Sequence, residues 1–206
     1  AMAVEVRSLA REAWRRGVLK GSFVVDRAVS HWVDRIIAVS QAARDFLVHT
    51  KGIPPDKVMV IPNGRDLSVF RPGRAREAAR KELGLGPEVP VVGVVGRLES
   101  QKGHIHVLEA FPAVRSEFPD ARLLLVGDGS LRGQLEEHVR RLGISPHVIF
   151  TGFRLDVPNL LEAMDLVVLP SLWEGMPLTA IEAAAMAKPI VATRVDGTVE
   201  VVEDGV

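Results

Sequence analysis

From Val89 onward, apolar positions fall into short unbroken runs, separated by stretches in which they recur every three or four residues. The runs are VPVVGVVG (89–96), ARLLLVGD (121–128), HVIFTGF (147–153), DLVVLPS (165–171) and PIVATRV (189–195). They are continuous rather than alternating and rich in β-branched residues, the pattern of strands covered on both faces. Between them lie KGHIHVLEAFPAVRSEF, SLRGQLEEHVRRLG, VPNLLEAM and LTAIEAAAMA. In the second of these, Leu131, Leu135, Val139 and Leu142 are spaced for one face of a helix, and Gly143 is placed as its C-cap. Strand and helix in regular alternation predict a doubly wound α/β domain with a parallel sheet.

The first 88 residues follow another rhythm. RSLAREAWRRGVLK (7–20) predicts a basic amphipathic helix, either solvated or resting on a membrane surface. A short strand at Arg35–Val39, a helix capped by Ser40, a strand in KVMVIPNG and a polar helix in RAREAARKELGL follow. Residues 1–50 are expected to be the end of one domain with its linker helices, and 51–206 a second domain. Only DGTVEVVEDGV follows the last strand, so the second domain is expected to lack a closing strand and helices. The apolar surface left at both truncated ends predicts a homo-oligomer or a domain-swapped assembly.

Composition narrows the function classes. Lys+Arg and Asp+Glu are equal at 26 each, so no net charge draws the 206-residue chain to nucleic acid. There is no cysteine, which excludes disulfides and thiolate metal sites and fits a reducing, cytoplasmic setting. No apolar run reaches the length of a membrane span.

Ligands of a doubly wound sheet gather at the C-terminal ends of its strands, which directs attention to the loops there. In GRLESQKG (96–103), Gly96 allows close backbone approach, and Arg97 and Lys102 place two cations beside a helix start, an arrangement suited to a diphosphate. The same loop reads equally as a turn with solvated charges. VGDGSLRG (126–133) has one residue too many for the dinucleotide fingerprint and is better read as a tight turn with Ser130 as N-cap. FTGF (150–153) offers backbone groups to a planar base.

SLWEGMPLTAIEAAAMAKP (171–189) carries two acids, Glu174 in a loop and Glu182 eight positions on, inside an alanine-rich helix. Backbone N–H groups of residues 175–178 are free at the helix start, with a carboxylate at each end to accept from hydroxyls. The pair reads as two grips on one polyhydroxy ligand; the bland alternative is an acid near a helix N-terminus and an exposed helix residue. The loop at Asp196-Gly197 is expected at the same edge.

Together these stretches resemble the nucleotide-binding half of GT-B fold glycosyltransferases, specifically the family-4 retaining enzymes. The resemblance is carried by DRIIAVSQAARDFL, VMVIPNGRDLSVFRP, VVGRLESQKG, LLLVGDGSLRGQLE, FTGF and LVVLPSLWEGMPLTAIEAAAMAKPIVAT in the family's order, with Glu174 and Glu182 as its E-x7-E pair. It implies that Arg97 and Lys102 hold the diphosphate of a nucleotide sugar and that Glu174 binds donor-sugar hydroxyls. Gly175, Met176, Pro177 and Leu178 would surround sugar and phosphate, Glu182 would accept from the ribose, and Phe153 and Arg154 would lie near the base. It implies a donor substrate but no cofactor and no metal, and an acceptor that is a glycan, a lipid or a small molecule. The family's usual Gly-Gly and proline are replaced by Asp196-Gly197 and Val199, which leaves that loop's sugar contact open. Without the acceptor lobe the chain is expected to bind donor weakly or not at all, with no turnover. Two other functions fit: a GT-B sugar-nucleotide epimerase, with His104 and His106 as acid/base candidates, and a non-catalytic nucleotide-binding or structural module.

Overall fold

The computed structural model describes residues 26–73 and 76–205. The predicted basic helix at 7–20 lies outside them. The chain divides into two compact units, one reaching to Asn63 and one starting at Gly64.

In the first unit, β1 (Ile36–Ala38) pairs in parallel with β2 (Val58–Val60), Ile36 opposite Val58. Helix α1 (Gln41–Asp45) begins as its sequence predicts, because the Ser40 hydroxyl accepts the Ala43 N–H at 3.0 Å. A π turn over Phe46–Thr50 follows it. Ala38, Ile53 and Val58 form a small core, and the Lys57 ammonium donates to the carbonyls of Ser30 and Val33 at 2.8 and 3.0 Å.

The second unit holds α2 (Arg76–Glu82), β3 (Val91–Val95), α3 (His104–Glu117), β4 (Arg122–Val126), α4 (Arg132–Arg141), β5 (Val148–Gly152), α5 (Val157–Ala163), β6 (Leu166–Leu169), α6 (Leu178–Ala185) and β7 (Ile190–Ala192). The five strands form one wholly parallel sheet in the order β5-β4-β3-β6-β7. Every apolar run of the sequence therefore became a strand, trimmed at its ends.

Strand β4 shows why the runs are unbroken. Leu123 and Leu125 enter a core with Val107, Leu108 and Phe111 of α3 and Leu135 and Val139 of α4. Leu124 and Val126 enter the opposite core, with Leu160 and Leu161 of α5 and Ala180 and Ala183 of α6. Successive side chains point to opposite faces, and both faces are dry. Each buried leucine contributes about 1.5–3 kcal/mol. Helix α4 ends as predicted, with Gly143 at φ 69° donating its N–H to the Arg140 carbonyl.

A polar girdle ties α2 to the lower end of the sheet. The buried Arg80 guanidinium donates to the carbonyls of Gly86, Pro87, Val89 and Ala163 and to Asp165 Oδ2, while Asp165 Oδ2 also accepts the Val91 N–H. Burial pushes the Asp165 carboxyl up, but bonds from Arg76 and Val91 and the charges of Arg80 and Arg76 outweigh it and hold the group low.

Candidate functional site

Strand order reverses between β3 and β6, so the loops leaving these two strands part and open a crevice at the sheet's carboxyl edge. The loop after β3 carries Arg97 and Lys102; the loop after β6 carries Ser171 and Glu174. One backbone and one side-chain bond tie the two loops together: Leu172 donates its N–H to the Gln101 carbonyl at 2.8 Å, and Gln101 Nε2 donates to the Trp173 carbonyl at 2.9 Å.

Glycine makes that approach possible at one point. Gly103 sits at φ 62°, and a Cβ there would meet the Pro170 carbonyl oxygen at 2.1 Å. Any other residue would push the 3-10 turn Ser100–Lys102 away from the β6 loop. With glycine in place, Lys102 Nζ lies 2.5 Å from Glu174 Oε1. The Ser171 hydroxyl donates to that same oxygen at 2.7 Å. Asp196 Oδ2 accepts the Glu174 N–H at 3.1 Å, so the loop at Asp196-Gly197 does reach this edge.

Glu174 is 8% exposed and Glu182 4%, which removes the bland alternative of an exposed helix acid. Glu182 stands on α6, whose N-cap is Pro177. Its Oε1 accepts from Arg65 Nε at 2.5 Å and stands in ion-pair contact with Nη2 of the same guanidinium. Each acid thus has its Oε1 held, Glu174 by Lys102 and Ser171 and Glu182 by Arg65, and the Oε2 of each has no partner among the described residues. Neither Oε2 is among the buried unpartnered atoms of the described residues, so each is reached by solvent and is open to accept from a hydroxyl or N–H of a ligand.

Arg97, Lys102 and Glu182 line one cleft of about 570 Å³, together with Gly96, Arg65 and Leu178. Arg97 is exposed and makes no side-chain hydrogen bond or ion pair among the described residues. Gly175 is exposed, Met176 half-buried and Pro177 buried, in the turn that joins Glu174 to α6. Phe153 and Arg154 are not brought in. Phe153 is 74% exposed outside the cleft lining. The Arg154 guanidinium is taken by Asp156 at 2.6 Å and Glu82 at 2.7 Å, so hydrogen bonding to these acids raises it far above the ordinary arginine value. Leu155, Val157 and Pro158 line the cleft on that side instead.

Ser130 does not cap α4. Its N–H and hydroxyl both donate to the Glu99 carboxylate, at 2.9 and 2.8 Å, because that charged acceptor offers more than an orphan helix amide. Those bonds hold the Glu99 carboxyl below the usual range. Gly127 and Gly129 serve the same contact: a Cβ on either would strike the backbone of Gly96 or Leu98 within 2.6 Å. These glycines bring one loop against another rather than against a cofactor. His104 is 2% exposed, with neither ring nitrogen hydrogen-bonded, and His106 is exposed; neither lines the cleft. Burial, and then the Lys102 charge, push the His104 imidazole down to about 4.

Among the described residues, no cluster of three or more histidines or acids is placed to hold a metal ion, and no helix is long and apolar enough to cross a membrane. Arg65, Ser171 and Asp196 complete the site, and of these only Asp196 was signalled in the sequence. Arg65 and Glu182 meet across 117 positions, which no local pattern reveals.

Known proteins resemble this chain in sequence and fold. Residues 89–206 match the family model described as Glycosyl transferases group 1, and residues 6–69 match that of Glycosyltransferase Family 4. The chain is 34% identical over 167 residues to the UDP-Gal:alpha-D-GlcNAc-diphosphoundecaprenol alpha-1,3-galactosyltransferase of Escherichia coli, covering 79% of this chain and 43% of that protein. It is 38% identical over 179 residues to the D-inositol 3-phosphate glycosyltransferase of Segniliparus rotundus, covering 84% and 40%. The chain thus spans about two fifths of the length of these curated relatives. The crystal structure of Anabaena HepE in complex with UDP-glucose superposes with a TM-score of 0.83 at 29% identity, over 93% of this chain and 54% of HepE. The first family model covers more than half of the chain, and the chain belongs to the Glycosyl transferases group 1 family.

Proposed function

We propose that the chain is the donor-binding part of a retaining glycosyltransferase that moves a sugar from a nucleoside diphosphate sugar to an acceptor hydroxyl. The observation that carries this is the pair of buried acids, each with one oxygen anchored and one unused, beside two cations at the switch point of the sheet. Glu174 Oε2 accepts from donor-sugar hydroxyls, and Glu182 Oε2 from the ribose. Arg97 and Lys102 hold the diphosphate and balance the charge that grows on it as the bond to the anomeric carbon breaks. The backbone from Gly175 to Leu178 borders sugar and phosphate. On the base side, Leu155, Val157 and Pro158 replace Phe153 and Arg154 as the apolar wall.

In the retaining reaction the acceptor oxygen bonds the anomeric carbon on the face the phosphate leaves. The acceptor proton passes to an oxygen of the departing diphosphate. Two cations supply the charge compensation that a divalent ion supplies elsewhere, so the reaction proceeds without metal. The Escherichia coli relative is named for a UDP-galactose donor and HepE binds UDP-glucose, which supports a UDP-linked donor here. Positioning both reactants requires a second lobe, so the 206-residue chain by itself binds donor weakly and does not turn it over.

Calorimetric titration with uridine, guanosine and adenosine diphosphate sugars tests the reading. One of them binds, and Glu182→Ala and Arg97→Ala each weaken it about tenfold or more, the loss expected for a bond between charged and polar groups. Unchanged affinity in both variants would assign the cleft to a structural role.

A further inference from the structure

Arg65 belongs to no stretch that a local reading marks for chemistry, yet it enters the cleft with Arg97 and Lys102. Its guanidinium donates Nε to Glu182 Oε1 and keeps Nη2 in ion-pair contact with the same oxygen, while Glu182 itself is almost wholly buried. The guanidinium also lies 5.9 Å from the centroid of the Phe70 ring, a side chain of the second unit's core. A planar fork held on a ring face has few ways to move, and the carboxylate it grips is restricted with it.

That geometry decides which oxygen a ligand can reach. The hydrogen bond and the ion pair both fall on Oε1, which turns that oxygen toward Arg65 and leaves Oε2 as the acceptor for a ligand. Glu174 is arranged in the same way by other means, with Lys102 and Ser171 both on its Oε1. At Glu182 a single arginine does the work of two residues. We propose that Arg65 is a positioning residue of the donor site, which orients Glu182 so that Oε2 meets the ribose diol, and so sets the preference for ribonucleotides over nucleotides lacking those hydroxyls. The proposal rests on the donor-site reading given above. Arg65 need not leave Glu182 when the nucleotide enters.

The test compares UDP with 2′,3′-dideoxy-UDP, titrated into the wild-type chain, Arg65→Met and Arg65→Lys, with thermal unfolding of each. The wild type binds UDP about 10–100-fold more tightly than the dideoxy compound, as expected for hydroxyls on a charged acceptor. Arg65→Met lowers that ratio to about threefold or less by weakening UDP and sparing the dideoxy compound, and Arg65→Lys restores part of it. A merely structural role would lower the melting temperature or weaken both ligands equally, leaving the ratio unchanged; that result overturns this proposal and spares the donor site. Tighter UDP binding by Arg65→Met also overturns it, since Arg65 would then be an obstacle to the ribose. If the wild type binds none of UDP, GDP and ADP, the donor-site reading fails and this inference with it.

Discussion

Replacing Lys102 with methionine keeps most of the side chain's bulk and removes only its charge. In the wild type the ammonium stands 2.5 Å from Glu174 Oε1, with the two side chains 21% and 7% exposed. Exposed ion pairs contribute about 0–1 kcal/mol, whereas breaking a fully buried one costs about 3–5 kcal/mol. This pair lies between those limits, and the Ser171 hydroxyl remains on the same oxygen, so the loss should be about 2 kcal/mol. For a chain of this size that lowers the melting temperature by roughly 4–8 °C. Glu174→Gln should cost about 1 kcal/mol, because Lys102 can turn to solvent and an amide can still accept from Ser171. In the double variant no buried charge is stranded, so its loss should be about 1.5 kcal/mol rather than the sum. A double-mutant cycle on denaturant melts therefore yields a coupling of about 1.5 kcal/mol. Additivity within about 0.3 kcal/mol would refute the pairing on which the geometry of Glu174 depends.

Other consequences can be measured on the same chain. Gly103→Ala should lose about 2 kcal/mol or more and weaken nucleotide binding as well, since the Pro170 carbonyl blocks a Cβ and the Lys102 turn must shift; a stable variant with normal affinity would contradict this. A histidine whose folded value lies below its unfolded one stabilises in full above about pH 6.5 and loses that contribution as pH falls toward 4, so the wild type should lose about 2–3 kcal/mol more than His104→Leu between pH 7.5 and 4.5 in urea melts. Equal losses in the two proteins would show that His104 titrates freely. Arg80→Met removes the side-chain donor from four carbonyls and one of the two donors to Asp165 Oδ2, and should cost about 2–3 kcal/mol by the same melts, with nucleotide affinity unchanged in the protein that remains folded.

Much of the second unit is readable in the sequence because a parallel sheet buried on both faces leaves an unambiguous trace. In β4 every one of Leu123, Leu124, Leu125 and Val126 must be apolar, since alternate residues feed opposite cores. The two acids are readable for a related reason: Glu182 among alanines has no solvent-facing explanation on so apolar a helix. What escapes the sequence is contact between distant loops. Glycines at 127 and 129 look like a phosphate cradle but yield to the neighbouring loop at Gly96 and Leu98. Ser130 has the chemistry of an N-cap, yet Glu99 draws it away. Arg154 looks like a free cation until Glu82, 72 positions earlier, closes on it. Arg65 is hidden for the same reason.

The donor-site account is tested most directly by a crystal structure of the chain with a bound nucleoside diphosphate. The account places the diphosphate within hydrogen-bonding distance of Arg97 and Lys102, with the ribose hydroxyls on Glu182 Oε2. A nucleotide seated instead in a different cleft, such as that of about 470 Å³ beside Arg76, Arg80 and Lys81, would contradict it.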